Sequence, residues 1–87
     1  MQKDEIIQKL KFYLINDVLE NEDINLTINT PLLEWGIINS FEMVRLLSYI
    51  QSEFGLDIPP DEMIADHFKD ITTIANLIWS HAVHSGE

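Results

Sequence analysis

Apolar positions recur at helical spacing along three stretches of the chain. Ile6, Leu10, Leu14 and Val18 return every four residues with Ile7 beside them, forming the stripe of an amphipathic helix. Met43, Leu46, Leu47, Ile50 and Phe54 share one face of a second helix. Ile71, Ile74, Ala75, Ile78 and Ala82 share one face of a third. No window sustains the period-two alternation of a half-buried strand. The pattern predicts an all-α fold.

The residues between these stretches punctuate them consistently. Residues 20–30 are polar and β-branched, a long connection whose Ile24, Leu26 and Ile28 are expected to pin it to the core. Thr30-Pro31 has the form of a cap and first position of a short helical turn. Gly55 follows Phe54, where a helix-ending residue of positive φ belongs. Pro59-Pro60-Asp61-Glu62 opens a short helix, with prolines where no amide is missed and acids where the helix dipole favours them. Asp70 is positioned to cap the last helix. The reading is three main helices, one short helix and a long first loop.

Length and composition narrow the class. At 87 residues, with no repeat or linker-like tract, the chain reads as one domain over 1–87. An apolar fraction of 46% suits a folded domain rather than a disordered one. The longest apolar run, Phe12-Tyr13-Leu14-Ile15, is far short of the ~18 residues of a membrane span, and no secretory leader is evident. A cytoplasmic location is therefore expected. The absence of cysteine removes disulfides, thiolate metal sites and cysteine nucleophiles.

Charge adds a second constraint. The net charge is −10, and it is uneven. Residues 1–11 set Lys3, Lys9 and Lys11 against Asp4 and Glu5, while residues 12–87 set only Arg45 and Lys69 against thirteen acids. Such a surface repels nucleic-acid phosphate and anionic lipid and attracts basic protein patches. Neither nucleic acid nor membrane is an expected partner.

The start of the second helix holds the candidate chemistry. Asn39 and Glu42 fit a capping box, which makes Ser40 the first helical residue. Its hydroxyl is then free of capping duty, beside unpaired amides at the positive end of the helix dipole. A phosphate ester is favoured at that place. Gly36, four residues earlier, would let the loop approach the helix end closely. A serine at a helix start is also common for purely structural reasons, and this local pattern alone favours that reading.

The wider stretch Leu32-Leu33-Glu34-Trp35-Gly36-Ile37-Ile38-Asn39-Ser40-Phe41 resembles the G-x-x-x-S attachment motif of acyl and peptidyl carrier proteins. The resemblance runs over nearly the whole chain, through Glu53-Phe54-Gly55, Ile58-Pro59 and Phe68-Lys69-Asp70-Ile71. It implies a small four-helix carrier bundle. It also implies 4′-phosphopantetheine, transferred from coenzyme A to Ser40 by a phosphopantetheinyl transferase. The arm would hold an acyl group as a thioester, with no catalysis by the chain itself and no metal of its own. Thr30-Pro31-Leu32-Leu33-Glu34-Trp35-Gly36 with Asn39-Ser40 is most similar to stand-alone carriers of L-proline. Those imply as partners a prolyl-adenylating enzyme, a flavin-dependent oxidase and a downstream synthase of natural-product assembly, with the carrier itself a monomer. The sequence departs from the family at Asn39, where most carriers place an Asp that helps hold the transferase's magnesium. Asn caps a helix equally well, so the architecture is expected to survive the exchange.

Helical geometry also predicts a partner face. With Met43, Leu47, Ile50 and Phe54 turned inward, steps of about 100° send Phe41, Arg45, Ser48 and Ser52 outward. Val44 lies at the edge of the stripe. Met63 and Ile64 cannot both be fully buried in a short helix, and Ile64 is assigned outward. Phe41, Val44, Arg45, Ser48 and Ile64 form the expected partner surface, with Arg45 a cation that helps partners discriminate. His81 and His84 are spaced to grip a metal but lack a third ligand. No base is ordered against Ser40, and Gly36–Ser40 is not a nucleophile elbow. Trp35 and Trp79 read as core or loop anchors. The rival reading, from another class, is an unmodified acidic helical adaptor that only binds proteins.

Overall fold

The computed structural model describes residues 2–20 and 25–85, the last three of these by their backbone. Ile24 and the side chain of His84 lie outside that description. Three α-helices carry the fold: α1 (Lys3–Tyr13), α2 (Ser40–Phe54) and α3 (Ile71–Ser85). No strand occurs among the described residues. None of their helices is long and apolar enough to cross a membrane.

In α1 the four-residue spacing does what it predicts, and Ile6, Leu10 and Leu14 are completely buried. Asp4 and Glu5 occupy the first turn and Lys11 the last, each at the dipole end that suits its charge. Beyond Tyr13 the helix winds more widely over Leu14–Val18, with Leu19 N–H donating to the Leu14 carbonyl at 2.8 Å. α1 packs against α3, the most apolar of the helices. Ile71, Ile74, Ala75 and Ile78 are fully buried there, and Leu77 joins them, so the stripe is wider than the spacing alone predicts. Each fully buried Leu or Ile contributes about 1.5–3 kcal/mol relative to exposure. In α2 the buried residues are Leu46, Ile50 and Phe54, whereas Met43 and Leu47 are only half-buried. The inward direction of α2 is therefore rotated towards Leu46.

Helix ends follow their capping residues. Asp70 Oδ1 accepts from Thr73 N–H at 2.8 Å, and Asp70 N–H donates to Thr73 Oγ1 at 3.1 Å. This is a reciprocal capping box with Thr in the returning position. Gly55 ends α2 at φ +68° and donates its N–H to the Gln51 carbonyl at 2.9 Å.

The long first loop corrects two expectations. Leu26 is buried, but Ile28 is 40% exposed. The loop is held there through its backbone, because the Ile28 carbonyl accepts from both Thr72 N–H and Thr72 Oγ1 at 3.2 Å. Thr30 does not cap the turn that follows; its buried hydroxyl accepts backward from Thr27 N–H at 2.8 Å. The amide two residues on, Leu32 N–H, donates across the fold to the Lys69 carbonyl at 2.8 Å.

The short fourth helix is likewise not α-helical. It consists of two single 3₁₀ turns, Pro60–Glu62 and Ala65–His67. Pro59 is extended and Pro60 opens the first turn, but the chain leaves helical geometry at Met63 and Ile64 before an α-helical ladder forms. Neither turn buries a residue completely, and the wholly buried Phe68 anchors the segment's end.

Candidate functional site

The site is built where the first loop delivers the chain to α2. Leu32 and Ile38 are buried on either side of a tight turn, and the Leu32 carbonyl accepts from Ile37 N–H at 2.9 Å and Ile38 N–H at 3.2 Å. Trp35 N–H closes the same turn onto the Pro31 carbonyl at 3.0 Å. Gly36 adopts φ +72°, a conformation that favours glycine. A Cβ there would meet nothing within 4 Å. Gly36 is thus required by backbone conformation, and the expected close approach to the helix end is not made.

Ser40 follows as the first residue of α2, exposed to solvent. Asn39, extended at φ −123°, supplies the cap, its Oδ1 accepting from Glu42 N–H at 2.9 Å. The side-chain acceptor of the first turn is therefore Asn39 rather than Ser40. Amides of a first helical turn have no intrahelical partner, so Ser40 sits beside donors and the positive dipole end. The expected capping box is only half made. Glu42 turns instead to Arg45, whose Nη1 lies 3.0 Å from Oε1 and 3.4 Å from Oε2. The hydrogen bond to Glu42, reinforced by its charge, pushes the Arg45 guanidinium above its ordinary pKa. The pairing offsets the one acid nearest Ser40 on the helix, leaving the dipole end less encumbered for an anion.

The outward residues assemble as the helical steps require. Phe41 is 68% and Val44 57% exposed, with Arg45, Ser48 and Ser52 exposed beside them. Ile64 is 47% exposed on the chain between the two 3₁₀ turns, while Met63 is half-buried. Trp35 departs from expectation. It is 62% exposed, because Leu32 and Ile38 already fill the core beneath its turn. Its place between Glu34 and Gly36 in a turn was the available signal. Trp79 does pack against the core.

The remaining candidates stand apart from Ser40 chemistry. His81 Nε2 lies 3.1 Å from Glu62 Oε1, and His67 Nδ1 donates to the Glu62 carbonyl at 2.8 Å. Among the described residues no group of three or more His, Asp or Glu side chains is arranged to hold a metal.

Comparison with known proteins gives this arrangement its context. Residues 14–78 match the family model described as phosphopantetheine attachment site. An acyl carrier protein of Lactobacillus acidophilus is 32% identical over 81 residues, covering 93% of this chain and 98% of its own. A D-alanyl carrier protein of Lacticaseibacillus rhamnosus is 32% identical over 59 residues, 68% of this chain and 73% of its own. A chain from a solved structure described as "Crystal structure of FAD-dependent dehydrogenase" superposes with a TM-score of 0.74 at 42% identity. The match covers 79% of this chain and 97% of that one. The match over residues 14–78 and the near full-length acyl carrier relative together show that this chain belongs to the phosphopantetheine-binding carrier proteins, whose members hold 4′-phosphopantetheine covalently and act as carriers rather than enzymes.

Proposed function

We propose that Ser40 carries the 4′-phosphopantetheine arm and that the arm tethers an L-prolyl group as a thioester. The observation that carries this reading is the exposed hydroxyl of Ser40 at the first position of α2, with Asn39 taking over the capping hydrogen bond. The tether keeps its cargo at high effective concentration for each enzyme in turn. Phe41, Val44, Arg45, Ser48 and Ile64 meet those enzymes, and the acidic surface steers the encounter. A prolyl-adenylating enzyme loads the arm, a flavin enzyme oxidises the cargo, and a synthase of cytoplasmic natural-product assembly receives it. Two things support the proline assignment: the segment Thr30–Gly36 with Asn39-Ser40, and a 42% identical chain of carrier size from a structure described as an FAD-dependent dehydrogenase.

The test is intact mass after incubation with coenzyme A and a phosphopantetheinyl transferase. The chain is expected to gain one arm, and Ser40→Ala is expected to fold, since Ala suits a helix, while gaining none. A modified Ser40→Ala protein, with the arm on Ser48 or Ser52, would overturn the assignment. Absence of any gain in the unaltered chain would leave an unmodified adaptor. Loading of other amino acids in preference to L-proline, by their own adenylating enzymes, would overturn the cargo.

A further inference from the structure

The segment from Pro60 to His67 is weakly held for a part of the surface that presents Ile64. It has no α-helical ladder, and neither of its 3₁₀ turns buries a residue completely. An open cleft of about 290 Å³ separates it in part from α3, lined by Glu62, Asp66 and His67 on the segment and by Thr73, Asn76, Leu77 and Ser80 on α3. With no residue of either turn fully buried, packing fixes its distance from α3 weakly, and local opening is expected to be easy. Among the described residues, its side-chain hydrogen bonding to α3 comes down to one contact, His81 Nε2 with Glu62 Oε1 at 3.1 Å. The same residue is gripped again through its carbonyl by His67 Nδ1 at 2.8 Å. Glu62 thus joins the two turns to each other and to α3. Ile64 lies on the stretch between them.

We propose that Glu62 and His81 are positioning residues: their contact clamps residues 60–67 onto α3 and thereby sets the presentation of Ile64 to partner enzymes. This rests on the reading of Ile64 as a partner-face residue. The contact sets an imidazole nitrogen against a carboxylate oxygen. Hydrogen bonds to an ionised partner are the stronger kind, and a carboxylate is such a partner.

The test measures hydrogen-exchange protection at the Met63, His67 and Phe68 amides, each of which makes a 3₁₀ hydrogen bond within the segment. Protection of these amides in His81→Gln should fall several-fold below that of the unaltered full-length chain. His81→Lys, which returns a charged donor to the Glu62 carboxylate, should restore it. In the arm-bearing protein, prolyl loading by an adenylating enzyme with L-proline and ATP should slow in His81→Gln by a factor comparable to that in Ile64→Ala. Equal protection in His81→Gln and the unaltered chain would overturn the clamp. Normal segment protection loss together with unchanged loading in Ile64→Ala would instead overturn the partner-face reading, and with it the role assigned to the clamp.

Discussion

Tyr13 of α1 stacks on Tyr49 of α2, with ring centroids 4.3 Å apart and planes 24° from parallel. Phe54 meets Tyr49 edge-on, at 6.1 Å and 90°. The Tyr49 hydroxyl donates to the Lys9 carbonyl at 3.1 Å, and the Lys9 ammonium lies 3.0 Å from Glu53 Oε1 and 5.8 Å from the Phe54 ring centre. The C-terminal part of the helix that begins with Ser40 is thus held to α1 by an aromatic seam with polar ends. Each aromatic pair of this kind adds about 0.5–1.5 kcal/mol beyond area burial.

This seam makes stability sensitive to alkali. Burial is the main cause that raises the pKa of both Tyr13 and Tyr49, with neighbouring acids adding to it and Arg45 partly opposing it at Tyr13. A raised folded-state pKa means that the folded chain holds the phenolic proton more tightly than the unfolded chain does. The corresponding stability is fully present below the ordinary tyrosine value of about 10, and it is lost as pH rises through the higher folded value. The melting temperature, followed by circular dichroism, is expected to show no tyrosine-linked fall until about pH 10 and then to drop. Tyr49→Phe should soften that drop. An equally steep alkaline drop in a Tyr13→Phe, Tyr49→Phe double variant would contradict this origin.

Asn39 separates architecture from priming. Its Oδ1 cap on Glu42 N–H is worth about 1 kcal/mol, so Asn39→Ala should lower stability by about that much. Asn39→Asp keeps the acceptor and adds negative charge at the favourable end of α2, while Glu42 nearby is already paired with Arg45. Its stability should hold or rise slightly, and its priming by a generic transferase should be no slower. Denaturation midpoints and the rate of mass gain check the two halves. Markedly slower priming would mean that the transferase reads the Asn directly.

Phe41 tests the partner face. It is 68% exposed, so Phe41→Ala should change folding stability by no more than about 0.5 kcal/mol. Truncating the buried Phe68 should instead cost about 3–5 kcal/mol. If Phe41 docks enzymes, prolyl loading of the arm-bearing Phe41→Ala protein should slow. Unchanged loading kinetics at unchanged stability would make Phe41 an ordinary exposed apolar residue.

Where the chain repeats a helical period, its fold is readable without coordinates. Ile6, Leu10 and Leu14, and Ile71, Ile74, Ala75 and Ile78, are buried because a 3.6-residue helix lines them up, whatever else surrounds them. Asn39, Gly55 and Asp70 end or begin helices through contacts within four residues, so their roles are equally local. The exposure of Phe41, Arg45 and Ser48 follows from the same arithmetic. The place of Ser40 as first residue of α2 follows from the Asn39 cap, and that place is what the candidate site requires.

Contacts between distant residues were not readable in this way. Tyr13 and Tyr49 show no periodic signal of joining, since their stacking depends on how α1 and α2 lie together. Ile28 has the side chain of an anchor, yet α3 takes its carbonyl and leaves the side chain exposed. Trp35 is turned out because Leu32 and Ile38, set by hydrogen bonds within the turn and to Lys69, fill the space below. Residues 60–67 carry proline and acids fit to open a helix, but form two 3₁₀ turns whose tie to α3 runs through Glu62 and His81, nineteen positions apart. Short-range geometry determines which face of a helix is apolar and where the helix starts. Which of the competing side chains fills a given space is decided only when the helices meet, because close packing admits one occupant and exposes the rest.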